Sequence, residues 1–109
     1  MDFKSVSQDL LKITKNVLPT TVVSTLLNNN SVNDLSKAIY NINDSHIAPY
    51  IATSAIANGA DPKLVYSKCF MTNCKNKVYF VDFKQPTNIK NYMDTGMCQT
   101  CQDDALNQN

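Results

Sequence analysis

Arginine, glutamate and tryptophan are absent from this 109-residue chain: its 10 basic residues are all lysine and its 9 acidic residues are all aspartate. Without arginine there is no planar fork to grip a phosphate or read a guanine edge, which counts against sequence-specific nucleic-acid recognition. Only two glycines are present, Gly59 and Gly96, too few for a glycine-rich phosphate cradle. One histidine, His46, sits beside Asp44 and Ser45. Sequence neighbours seldom converge as a catalytic triad, and a polar helix start accounts for all three. Paired catalytic carboxylates and nucleophile motifs are missing too, so the expectation is a protein that is not an enzyme. No segment approaches the roughly 18 apolar residues of a membrane span. The first dozen residues carry charges at Asp2, Lys4, Asp9 and Lys12, unlike a signal peptide. A soluble, unexported, cytoplasmic protein is therefore expected. An alphabet rich in asparagine and lysine suits an AT-rich genome such as that of a virus or phage, in which case the compartment is a virion or the host cytoplasm.

The formal charge is +1, and 43% hydrophobic content supplies one core, not two. Over residues 3–18, Phe3, Val6, Leu10, Ile13 and Val17 recur at steps of three and four, with Leu11 and Leu18 beside them. That is one apolar helix stripe, ended by Pro19. Its spacing also suits a coiled coil, but at this length burial against other helices is the expectation. Thr20 or Thr21 can cap a second short helix carrying Val22, Val23, Leu26 and Leu27, stopped by Asn28-Asn29-Asn30. Ser31 opens a third, with Asp34 at the capping-box position and Val32, Leu35, Ala38, Ile39 and Ile42 inward. A fourth starts at Asp44 or Ser45, tolerates Pro49 near its first turn, and runs through Ile47, Ile51, Ala52, Ala55 and Ile56 to Asn58-Gly59. Asp61-Pro62 opens a short helix through Leu64 and Val65.

The pattern then changes. Lys77-Val78-Tyr79-Phe80-Val81-Asp82-Phe83-Lys84 is dense in β-branched and aromatic residues and reads as a strand. Gln85-Pro86-Thr87-Asn88 reads as a turn, residues 89–96 as a returning strand, and 102–109 as a polar tail of about two helical turns. The expected fold is mostly α, with α+β character overall. A small helical bundle over 1–67 is followed by a β-hairpin metal module over 68–109, together forming one compact unit.

The hairpin lies between two cysteine pairs, Cys69/Cys74 spaced C-x4-C and Cys98/Cys101 spaced C-x2-C. In a reducing compartment such pairs are metal ligands more often than disulfides. A tetrahedral zinc site needs two local thiolate pairs and a segment that folds back to join them. Lys75-Asn76 and Gly96 suit the bends required. Two disulfides, an iron–sulfur cluster and unliganded cysteines are the alternatives. Four thiolates around one Zn2+ leave no place for water, so such a site is structural. Together with Asp82, Asp94, Asp103 and Asp104, its two excess negative charges offset Lys68, Lys75, Lys77, Lys84 and Lys90, leaving the region near neutral.

From Cys69 to about residue 107 the chain resembles four-cysteine zinc fingers of the treble-clef and zinc-ribbon classes, which implies Cys69, Cys74, Cys98 and Cys101 as the metal ligands. A helical tail starting at Cys98 would favour the treble clef. The C-x4-C spacing departs from the usual C-x2-C, and Lys75-Asn76 stand where glycine commonly follows. The aromatics Tyr79, Phe80 and Phe83 are expected in the core, although they could stack on bases. The functional expectation is a zinc-stabilised protein-binding or structural accessory module docking on a larger assembly. Helices followed by a four-cysteine finger also resemble the layout of the DksA/TraR regulators, which implies action on RNA polymerase, but this chain lacks their long hairpin with an acidic tip. Direct nucleic-acid binding is the third class.

Overall fold

The computed structural model describes residues 1–13, 25, 28 and 31–107. The expected second helix, the end of the first beyond Ile13 and the last two tail residues lie outside the described residues, apart from isolated positions. Helix α1 is Phe3–Ile13, α2 Val32–Tyr40 and α3 Ile47–Ala57. Strands β1, Tyr66–Lys68, and β2, Lys77–Tyr79, follow, then a 3-10 turn at Phe80–Asp82. Helices α4, Pro86–Thr95, and α5, Gln99–Leu106, complete the order. Among the described residues no helix is long and apolar enough to cross a membrane.

Helix α3 is the centre of the molecule. Every residue from Ala48 to Ala57 is buried, as its nearly all-apolar, small-residue sequence requires. Its amino terminus is capped by Asp44, whose Oδ1 accepts from the backbone N–H of His46 at 2.8 Å and of Ile47 at 3.0 Å. The Asp44-Ser45-His46 stretch is thus a helix start, with His46 exposed. The other end turns at Gly59, whose φ of 107° only glycine adopts without strain. Helix α1 lies along α3, burying Ser7 and Leu10 and bonding Gln8 Nε2 to the Ala57 carbonyl. Its stripe is narrower than expected: Phe3 and Val6 are half-buried and Ile13 is 66% exposed.

Ser31 caps α2 as expected, accepting from the Asp34 N–H at 3.2 Å. The inward face is shifted, however: Leu35 and Ile39 are buried, Ala38 is exposed, and Ser36 is fully buried. The reason is polar. Ser36 Oγ donates to the Leu64 carbonyl and accepts from the Tyr66 N–H, both at 3.2 Å, so one hydroxyl joins α2 to the start of β1.

The sheet corrects the expected hairpin. Only Lys77–Tyr79 of the 77–84 run is strand, and its partner is β1, upstream of the first cysteine pair. The register is antiparallel, with Tyr66 opposite Tyr79, Ser67 opposite Val78 and Lys68 opposite Lys77. The expected short helix after Pro62 is a single turn, closed by Leu64 and Val65 N–H groups on the Asp61 carbonyl. The expected return strand over 89–96 is helix α4. Pro86 sits in its first turn, where the missing N–H costs nothing, and Ile89, Tyr92 and Met93 recur at helical spacing and are buried. Phe80 and Phe83, three apart across the 3-10 turn, pack with Tyr92 at ring-centroid distances of 5.5 to 6.4 Å. Both phenylalanines are core residues, as expected, while Tyr79 is half-buried.

Candidate metal centre

Antiparallel pairing of β1 with β2 makes residues 69–76 the loop of a hairpin, and this loop holds the first cysteine pair. Two backbone bonds shape it: the Cys69 N–H donates to the Asn76 carbonyl at 2.9 Å and the Cys74 N–H to the Met71 carbonyl at 3.1 Å. Lys75 takes the left-handed conformation, φ 55°, at the position where a glycine is common. Tyr40, at the end of α2, donates its hydroxyl to the Lys75 carbonyl at 2.7 Å and so braces that strained residue from outside.

The second pair lies at the amino terminus of α5. Cys98 is its N-cap residue and Cys101 falls in its first turn, where the positive end of the helix dipole favours thiolates. Gly96, in the left-handed conformation with φ 78°, ends α4 two residues earlier. Its carbonyl accepts from the Phe70 N–H at 2.9 Å, which ties the two cysteine pairs together at the backbone. No side chain fits at Gly96, since a Cβ there would lie 2.9 Å from Phe70 Cβ.

The four Sγ atoms lie within 4.8 Å of one another. Cys69 Sγ is 3.6 Å from Cys101 Sγ, and Cys74 Sγ is 3.8 Å from Cys98 Sγ. All four cysteines are free. A tetrahedron of sulfurs about 2.3 Å from a central ion has edges of about 3.8 Å, so these separations fit a metal-binding donor set. Cys69 and Cys98 are buried, whereas Cys74 and Cys101 are partly exposed.

Electrostatics point the same way. The Asn76 N–H beside Cys74 holds its thiol below the ordinary value. Burial pushes the Cys69 thiol up, partly countered by the N–H groups of Cys98 and Met71. Burial, then the neighbouring sulfurs, push Cys101 up strongly. Neutral thiols are favoured at Cys69 and Cys101, and all four sulfurs can be thiolates together only around a cation.

Several supports of this centre carry no sequence signal. Gln102 is buried between α4 and α5; its Nε2 donates to the carbonyls of Met97 at 2.9 Å and Asn88 at 3.0 Å. Tyr92, under the first pair, donates its hydroxyl to the Lys68 carbonyl at 2.5 Å. Lys68 is itself buried, with Nζ bonded to Asn43 Oδ1 at 2.9 Å and placed 5.6 and 5.5 Å from the ring centroids of Tyr40 and Phe70. Cation–π attraction replaces a carboxylate here and fastens the loop before α3 to the start of the knuckle. Lys84 Nζ and Gln99 Nε2 both reach Asp103, joining the end of the 3-10 turn to α5.

No protein-family model matches this chain, no curated protein matches its sequence, and no solved structure matches its fold.

Proposed function

We propose that this chain is a non-enzymatic module, stabilised by one structural Zn2+ on Cys69, Cys74, Cys98 and Cys101, that docks on a larger protein assembly. The observation that carries the reading is the convergence of four sulfurs within 4.8 Å from two well-separated stretches of chain. A tetrahedral set of four cysteines is a common structural zinc site, and a filled tetrahedron leaves no position for a reacting water. The ion would supply folding energy by bonding sulfurs from the knuckle and the α5 amino terminus, two stretches otherwise joined at the backbone by the Phe70 to Gly96 bond. A cysteine pair in a hairpin loop, followed by a pair at the N-cap and first turn of a helix, resembles the two ends of a treble clef, with α4 where that class has its middle hairpin.

Docking on protein is supported by the described surface. Leu64 and Leu106 are exposed, and a groove of about 250 Å³ between α4 and α5 is lined by Met97, Ala105 and Leu106 with asparagines at its rim. The lack of arginine argues for this over a nucleic-acid partner. Residues 1–67 and 68–109 act as one unit in this reading, since the Tyr40 to Lys75 and Lys68 to Asn43 bonds cross from one to the other. Native mass spectrometry of protein purified without added metal, before and after a strong chelator, tests the reading. One zinc per chain, lost to the chelator together with folded structure in residues 69–107, supports it. A metal-free folded chain overturns it.

A further inference from the structure

Each cysteine pair in sequence contains one buried and one partly exposed residue, and so does each pair in space across the two stretches. Cys101 is partly exposed and lies 3.6 Å from buried Cys69; Cys74 is partly exposed and lies 3.8 Å from buried Cys98. An oxidant from solvent therefore meets Cys101 and Cys74 first, and each has a buried sulfur in contact on the opposite stretch, ready to resolve the product. We propose that the cluster is also a redox device, in which a peroxide-class oxidant joins Cys69 to Cys101 and Cys74 to Cys98 as disulfides. These cross-links would keep the knuckle closed after the metal is released.

The chemistry balances for each pair. Cys74 Sγ attacks the peroxide, an S–O bond forms, the O–O bond breaks, and one water leaves after taking up a proton. Cys98 Sγ, 3.8 Å away, then attacks that sulfur, an S–S bond forms, the S–O bond breaks, and the second water leaves. Two thiols are oxidised by two electrons and one peroxide is reduced to two waters. Cys101 and Cys69 follow as the second pair, with a second peroxide. Both bonds link the hairpin loop to the α5 amino terminus, the same two stretches that the Phe70 to Gly96 backbone bond already holds together. Bonds within the stretches, Cys69 to Cys74 and Cys98 to Cys101, would leave that closure unsupported once the metal has gone.

This device rests on the metal reading only for what is displaced, so the experiment separates the two. The full chain is purified reduced, its metal content is read by native mass spectrometry, and portions with and without chelator treatment receive hydrogen peroxide anaerobically. Trypsin leaves Cys69 and Cys74 on one peptide and Cys98 and Cys101 on another, so the linkage is read by fragmentation of the joined peptides. The expected product is monomeric, lighter by four hydrogens, linked 69 to 101 and 74 to 98, with its far-UV spectrum retained. Local linkage, intermolecular linkage, over-oxidised sulfurs without disulfides, or a product that has lost its helical signal overturns the device. If the untreated chain carries no metal yet forms the crossed linkages, the metal reading fails and the device stands.

Discussion

Replacing Gly96 with alanine tests the coupling between the two cysteine stretches. The new methyl would lie 2.9 Å from Phe70 Cβ and 3.3 Å from its Cδ2, closer than packed carbons tolerate, and φ is 78° at that residue. The left-handed conformation alone costs an L-residue about 1–2 kcal/mol. Overpacking adds about 1–3 kcal/mol. Gly59→Ala is the control for adding a methyl at a positive φ, 107°, where no atom lies within 4 Å of the added carbon. Its backbone cost is at least that at Gly96, so any excess loss in Gly96→Ala comes from the clash. The clash acts on the bond from the Phe70 N–H to the Gly96 carbonyl, and Cys69 and Cys98 lie one and two residues from its two ends. Urea unfolding of metal-loaded protein should show Gly96→Ala less stable than Gly59→Ala by about 1–3 kcal/mol. Chelator competition should show metal affinity weakened roughly tenfold or more in Gly96→Ala only, since about 1.4 kcal/mol is a factor of ten. Equal stability and equal metal affinity in the two variants would refute the reasoning.

Three further outcomes are expected. Tyr92→Phe strands the buried Lys68 carbonyl and should cost about 1–3 kcal/mol in urea unfolding. Because burial raises the Tyr92 hydroxyl well above its ordinary value, its contribution is complete below pH 10 and lost as pH rises beyond it, so the variant should show a shallower alkaline decline. Asp44→Ala should lower the unfolding midpoint at neutral pH. The His46 and Ile47 N–H groups hold the Asp44 carboxyl below its ordinary value, so the difference from wild type should vanish as pH falls below about 4. Metal binding should release protons at pH 7, chiefly from Cys101 and Cys69, whose thiols are raised, and affinity should fall steeply on acidification. Titration calorimetry in buffers of different ionisation enthalpy reads this directly, and binding without proton release would contradict it.

The clustering of the four cysteines was legible because two closely spaced pairs are a local signal, and the helix ends at Ser31, Asp44 and Gly59 because capping is local as well. The sheet was not. A strand of three residues, such as Tyr66–Lys68, is too short to show alternation, and all three of its residues are buried. Residues 77–84 have strand composition, yet Phe80 and Phe83 both need the same core, and a 3-10 turn brings residues three apart to one side. Pro86 read as a turn when it was a first-turn helix residue; the period of Ile89, Tyr92 and Met93 carried the correct answer. Ser36, Gln102 and Lys68 are buried polar residues, each with a hydrogen-bond partner 14 to 30 positions away in sequence. Nothing local announces such pairings.

Zinc-edge X-ray absorption on the protein as purified tests the central claim most directly, because it counts and identifies the atoms bound to the ion. The account expects a single shell of four sulfurs at about 2.3 Å. A shell containing nitrogen or oxygen at about 2.0–2.1 Å, from His46 or a carboxylate or water, would contradict the assignment of the four cysteines as the complete ligand set.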